Sequence, residues 1–330
     1  MAPAYPLFGN AQVQSRLIAA ADADRLHHAY LFEGPEGVGK ATFALWLARY
    51  VNCDGPSRPC GTCRSCRLLL SGVHPDLVVV GPAADRVTRV ISVDQAQAVL
   101  TTLQLQRHSA RRRFVVFDPA DAMNEEAANT LLKTLEEPPR GTQFVLVTSR
   151  VASLLPTIRS RTQRVRFGPI PPETLQTWMR ERGKDPAWVA RAGGSAGLAL
   201  ALADGGGEEQ TVLRDALVAA TSTSLVKLFA FTEAEGKRED GVNHAELVVD
   251  MLEALLRDTT CIASGRTERV VHDDLRGALE GWARALWPGG IARMGTALAT
   301  ARDRLRLNVN GRTVLEALLT QLNLELSAAR

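Results

Sequence analysis

No stretch of eighteen or more apolar residues occurs in the 330-residue sequence, so nothing in it reads as a membrane-spanning helix. An excess of one charge is also missing. Lys plus Arg number 39 and Asp plus Glu 36, giving a net charge of +3, too near balance for the whole surface to attract nucleic acid. Any such role has to be local. Residues Met1 to Phe8 carry no basic segment followed by a long apolar one, so no secretory leader is expected. No repeat and no long low-complexity tract is visible. Cysteine is scarce and unevenly placed: four of the five lie between Cys53 and Cys66, and Cys261 stands alone. A secreted disulfide framework would spread its cysteines, so this clustering points to a metal site in a reducing cytoplasm.

What is present suits a soluble chain of two or three domains, with 45% hydrophobic and 23% charged residues. Short apolar runs alternate with helical patterns over the first 170 residues. Ala29–Phe32, Leu77–Val80, Phe114–Phe117, Phe144–Val147 and Arg164–Phe167 read as strands. Near-continuous apolar runs suit strands buried on both faces, which predicts a parallel α/β sheet flanked by helices. The stretch Gly168-Pro169-Ile170-Pro171-Pro172 breaks this pattern, and a short helical segment follows to about Leu202. Gly205-Gly206-Gly207 is the linker candidate, and everything beyond it is helical in period. The last helix, about Arg312 to Leu326, places Val314, Leu315, Leu318, Leu319 and Leu322 on one stripe, for its own core or for a subunit interface.

Gly34-Pro35-Glu36-Gly37-Val38-Gly39-Lys40 follows a strand and opens a helix from about Lys40 to Val51, the context of a phosphate-binding P-loop. Gly34, Gly37 and Gly39 let backbone N–H groups converge on phosphate oxygens, and Lys40 reaches the terminal phosphates. The next position is Ala41, where Mg²⁺ needs a hydroxyl. Thr42 does not replace it, because one helical step turns a side chain by about 100°. Asp118 stands at the end of its strand where a metal-linked acid belongs, but the water-polarising Glu expected beside it is Pro119. These residues predict a loop that holds ATP or ADP without cleaving it.

Cys53, Cys60, Cys63 and Cys66 read C-x₆-C-x₂-C-x₂-C. Four thiolates within fourteen residues wrap one tetrahedral Zn²⁺, and with no coordination position left open the ion is structural. Metal ligation would supply about 10 kcal/mol or more to a loop this small. Unligated thiols and an iron–sulfur cluster are the alternatives; the Cys-Pro that follows the usual cluster spacing is missing. Arg58, Arg64 and Arg67 decorate this module, and Arg111-Arg112-Arg113 precedes the third strand; both read first as solvated faces and second as contacts to DNA or a partner. Cys261 reads as a packed core thiol, and His108 and His244 carry no signal.

These elements together resemble a known family. His28-Ala29-Tyr30-Leu31-Phe32, the cysteine insertion after the P-loop helix, His74-Pro75-Asp76, the run Asn129-Thr130-Leu131-Leu132-Lys133-Thr134-Leu135-Glu136-Glu137-Pro138-Pro139, and Ser160-Arg161-Thr162 all fit. The sequence is similar to the delta-prime branch of the AAA+ clamp-loader family of bacterial DNA polymerase III. The resemblance is dense over the first 170 residues, weak through Gly194-Ser195-Ala196-Gly197, and returns at Asn308-Val309-Asn310.

The resemblance implies an AAA+ module over 1–168 with the zinc module at about 53–66, a helical lid over 169–206 and an all-α collar over 207–330. It implies a hetero-pentameric ring with gamma/tau and delta subunits that loads a sliding clamp onto primed DNA in the cytoplasm. In that ring Arg161 would be an arginine finger serving a neighbouring ATP, with Thr162 replacing the family's Cys. Ala41, Pro119 and Gly197 stand where an active subunit keeps a Mg²⁺ hydroxyl, a Glu and a lid Arg. That pattern favours delta-prime over a hydrolysing gamma/tau ATPase. The remaining alternative, a P-loop nucleotide kinase with a zinc lid, places its cysteines later in the chain and lacks the helical extension.

Overall fold

A computed structural model describes residues 8–82, 90–221, 225–236, 241–307 and 309–327. The leader expectation rests on Met1 to Phe8, of which residues 1–7 lie outside the described residues, as does Asn308, on which one resemblance partly rests. The chain divides into two compact units, Met1–Ala203 and Asp204–Arg330.

All five apolar runs of the first unit form strands: β1 (Ala29–Glu33), β2 (Leu77–Val80), β3 (Arg113–Phe117), β4 (Thr142–Thr148) and β5 (Gln163–Arg166). They pair in parallel in the order β2-β3-β4-β1-β5. Alternation along each strand splits the apolar side chains between two cores. Tyr30, Phe32, Phe114, Val116, Val145 and Val147 pack on one face with α2 (Lys40–Val51), α1 (Ala11–Asp22) lying beside it. Leu31, Val115, Phe117, Phe144 and Leu146 pack on the other with α4 (Val93–Gln104) and α5 (Glu125–Glu136). Covering both faces is what makes β1, β3 and β4 near-continuous apolar runs, whereas the outer strands β2 and β5 are partly exposed.

Local chemistry fixes the helix ends. Ser92 caps α4 in a capping box, its side chain accepting from Gln95 N while Gln95 Oε1 accepts from Ser92 N. Asn124 caps α5 by accepting from Ala127 N at 2.8 Å, and Glu125 and Glu126 follow in the first turn, where the helix dipole favours them. That helix stops at Glu136 because Pro138 and Pro139 cannot continue it. A short α3 (Arg64–Leu70) follows the cysteine loop, and α6 (Pro156–Ser160) leads into β5. Beyond β5 come α7 (Pro172–Glu181) and α8 (Ala196–Ala201), which bury Leu175, Trp178, Met179 and Ala199 in a small core of their own.

The triplet Arg111-Arg112-Arg113 is not one solvated turn. Arg111 is exposed, but Arg112 is half-buried and Arg113 opens β3 almost fully buried. The reason is Asp76, whose carboxylate accepts from Arg113 Nε and Nη2 at 3.3 and 3.2 Å. It accepts also from the backbone N–H groups of His108, Ser109 and Ala110 at 3.0–3.1 Å.

The second unit is helical throughout its described residues: α9 (Gly207–Thr221), α10 (Leu225–Gly236), α11 (Gly241–Ala263), α12 (Arg276–Leu286), α13 (Gly289–Arg306) and α14 (Gly311–Ser327). The predicted stripe of α14 is fully buried in its own unit's core, against Leu252 and Leu255 of α11 and Leu279 and Trp282 of α12. Cys261 lies half-buried on α11 rather than in the core. Gly205, at φ 111°, turns the chain through one irregular helical turn over Leu202–Gly206, directly into α9.

Candidate functional site

Parallel strands gather their C-terminal ends on one edge of the sheet, and loops leaving that edge build the nucleotide crevice of such folds. Here the edge carries the loop after β1, Asp118 after β3, and Thr148 as the last residue of β4. Gly37 and Gly39 adopt φ of 70° and 96°, a region that side chains other than glycine's resist, and Gly39 caps α2. Gly34, at φ 145°, is also held by close approach: a Cβ there would lie 2.1 Å from Phe167 O.

Lys40 is almost fully buried and donates to Gly34 O at 2.8 Å and Pro35 O at 2.6 Å. Burial lowers its pKa, against the pull of Asp118, Glu36 and Asp121. Burial also raises that of Asp118, helped by Glu36 and Asp121 and opposed by Lys40. Lys40 and Asp118 therefore sense each other's charge at the loop that Gly34, Gly37 and Gly39 shape. Ala41 presents no hydroxyl, Thr42 points into solvent, and Pro119 is exposed.

Two contacts at this edge were not anticipated from the sequence. Thr148 Oγ1 donates to Asp121 Oδ1 at 2.6 Å and accepts from Arg150 N at 2.8 Å, placing a polar pair beside the loop. A lone hydroxyl ending an apolar strand is the clue that could have found it. The second is the N-terminus of α8. Gly197 N donates to Gly37 O at 3.0 Å, and a Cβ at Gly37 would lie 2.1 Å from Ser195 Oγ. Gly197, which stands where the resemblance expects an arginine, thus touches the phosphate loop backbone to backbone.

The opposite edge of the sheet holds Arg161, two residues before β5 begins. β1 has five residues and pairs with β5 from Tyr30↔Gln163 onward, so Arg161 and the phosphate loop are separated by the strand's length, about 16 Å at ~3.3 Å per residue. Arg161 does not join its own chain's phosphate group. Its guanidinium instead meets Glu136, Nε to Oε1 at 2.5 Å. Farther along β5, Arg164 and Arg166 both bind the buried Glu33, the last residue of β1, at 2.7 and 3.1 Å.

The cysteine loop leaves α2 on this same edge, where Asn52 exchanges hydrogen bonds with the backbone of Arg112 just before β3. The Sγ atoms of Cys53, Cys60, Cys63 and Cys66 all lie within 4.8 Å of one another. A tetrahedron with bonds of about 2.3 Å needs sulfurs about 3.8 Å apart, so small adjustments close it. Backbone N–H groups point at the sulfurs: Gly55 and Cys60 at Cys53, Cys63 at Cys60, and Cys66 at Cys63, all at 3.3–3.4 Å. Such donors stabilise thiolates. The N–H of Cys63, with the hydroxyl and N–H of Thr62, brings the Cys60 pKa down to about 5, whereas burial pushes that of Cys66 up to about 12. A cluster that crowds four sulfurs and aims donors at three of them fits a divalent, thiophilic cation.

Comparison with known proteins bears on the whole chain. Residues 9–171 match a family described as DNA polymerase III, delta subunit. DNA polymerase III subunit delta' of Bacillus subtilis is 30% identical over 324 residues, covering 94% of this chain and 95% of the relative. The delta' subunit of Escherichia coli is 35% identical over 197 residues, 58% of each chain. DNA polymerase III subunit gamma/tau of Mycobacterium bovis is 32% identical over 287 residues, 82% of this chain and 46% of the relative. With a glycine-rich loop opening α2, a four-cysteine cluster and end-to-end similarity to a delta' subunit, this chain belongs to the delta-prime family of the DNA polymerase III clamp loader.

Proposed function

We propose that the chain is the stator of a clamp loader, a subunit that holds the ring's geometry and lends Arg161 to a neighbour's ATP. The observation that carries this reading is the position of Arg161. It lies on the sheet edge opposite its own phosphate loop, so it can serve only a nucleotide bound by another chain. There its guanidinium would neutralise charge developing on the γ-phosphate, an effect worth roughly 10³–10⁵ in rate.

The chain's own loop retains what binds phosphate and lacks what cleaves it. Lys40 and the N–H groups at the start of α2 suit ATP or ADP, while Ala41 leaves Mg²⁺ without its hydroxyl and Pro119 leaves water without a base. The four cysteines would hold a structural Zn²⁺ that fixes the loop between α2 and α3. In this reading 1–168 is an AAA+ module, 169–206 its lid and 207–330 the collar. The collar joins gamma/tau and delta subunits in a cytoplasmic hetero-pentamer that places a sliding clamp on primed DNA.

Arg161→Ala in the reconstituted loader tests the proposal, with assembly checked by gel filtration. Turnover at the neighbouring site should fall by about 10³-fold or more. Unchanged turnover would leave Arg161 a surface charge and the subunit's role purely structural. The intact Lys40 and the gamma/tau similarity favour a second reading, a competent ATPase. It requires turnover by the isolated chain that Lys40→Ala abolishes.

A further inference from the structure

Arg161 is not idle in the free chain. A guanidinium offers five N–H donors. Nε and Nη2 both face Oε1 of Glu136, and Nη1 donates to Thr157 O at 2.9 Å and to Ser160 Oγ at 3.3 Å. One Nη2 hydrogen is left over. A phosphoryl group held in the usual two-pronged way needs two adjacent donors. Arg161 therefore cannot grip a γ-phosphate while it grips Glu136.

Both partners are set by backbone rather than by chance side-chain contact. Glu136 is the last residue of α5, at a terminus fixed by the two prolines that follow. Arg161 is the residue that caps α6 at its C-terminus, and the next residue, Thr162, is buried with Oγ1 donating to Ile158 O at 3.1 Å. The two residues lie 25 apart in sequence yet meet on the edge from which the finger would have to reach out.

We infer that Glu136 is an intrachain latch, a positioning residue that parks Arg161 and competes with the neighbour's phosphate for it. This rests on the trans role of Arg161. The pair is partly open to solvent, with 31% and 46% of the two side chains exposed. A pair that open biases the arginine by about five-fold at most. The latch is therefore weak enough for a phosphate to displace, and it suppresses turnover until clamp and DNA close the ring.

The test compares Glu136→Gln, Arg161→Ala and the double variant in the assembled loader, reading ATP turnover with and without clamp and DNA. Glu136→Gln should raise the unstimulated rate about two- to five-fold and shrink the stimulation ratio by the same factor. The double variant should match Arg161→Ala. A structural role for Glu136 would instead lower both rates together. If Arg161→Ala abolishes turnover but Glu136→Gln leaves the unstimulated rate unchanged or lower, the latch is overturned and the finger stands. If Arg161→Ala changes nothing, both fall.

A measurement on the free full-length chain needs no assembly. The ¹⁵N-arginine Nε–H resonance that vanishes in Arg161→Lys should shift and exchange faster in Glu136→Gln. An unmoved resonance would overturn the latch whatever the turnover.

Discussion

Replacing Asp76 by alanine empties the acceptor on which the edge of the sheet converges. The carboxylate has no exposed surface, and it accepts three backbone N–H groups and two from Arg113, whose side chain is 4% exposed. Removing one partner of a buried ion pair costs about 3–5 kcal/mol. For a unit of this size that lowers the melting temperature by about 6–20 °C. Arg113 keeps Thr102 O, Leu105 O and Gln106 O, which places the expected loss toward the lower end.

Asp76→Ala with Arg113→Met should recover only part of the loss, because the N–H groups of residues 108–110 still lack an acceptor. Burial alone would raise the Asp76 pKa, but those N–H donors and Arg113 more than offset it and bring it below the ordinary value. A carboxylate depressed in the folded state adds stability that is complete above its unfolded pKa of about 3.9 and lost as pH falls through the folded one. The wild-type chain should therefore show an acid limb below about pH 4 that Asp76→Ala lacks in part. Thermal unfolding by circular dichroism across pH measures both, with hydrogen exchange of residues 105–117 to localise the change. A loss below about 1 kcal/mol, with an unaltered acid limb, would show that Asp76 is not the tie described here.

Three further outcomes are expected. The purified chain should carry about one zinc per molecule; Cys63→Ser should abolish it and Co²⁺ should give thiolate charge-transfer bands, while iron or no metal would refute the assignment. Asp258 of α11 is fully buried, and despite that burial its hydrogen bonds with His272 and Arg257 hold its pKa at about 2, so Asp258→Asn should remove about 2 kcal/mol of stability that the wild type loses between about pH 4 and pH 2. Denaturant titrations at pH 7 and pH 2 check the sign. Gly37→Ala combines a positive φ with a Cβ 2.1 Å from Ser195 Oγ and should cost about 1–2 kcal/mol or more, read as a shift in melting temperature of about 2–8 °C.

Most of the sheet was legible because its strands are buried on both faces: Phe114–Phe117 and Phe144–Val147 have no polar alternation to mislead. The strand, glycine turn and helix around Lys40 were legible because they are contiguous in sequence. The four cysteines were legible from spacing alone, since all four ligand candidates fall within fourteen residues. What escaped depends on residues far apart in sequence. Arg113 looks like its two neighbours in the chain, and only Asp76, 37 residues away, makes it a buried cation. Glu136 and Arg161 were each conspicuous, but nothing local pairs them. The approach of Gly197 to Gly37 spans 160 residues and involves two residues without side chains, which leave no chemical trace in a sequence.

That last contact sets a limit on how a nucleotide can act on this chain. The spacing between the phosphate loop and the first turn of α8 is already defined by a hydrogen bond between the two backbones and by Ser195 filling the space above Gly37. A ligand shifts an equilibrium only by the difference in its affinity for the two states. A nucleotide that fits the loop equally well at this spacing and at a wider one would bind and move nothing, however tightly it held. In the proposed stator role, motion in response to ATP would then have to come from other subunits, with this chain as the fixed wall against which they move.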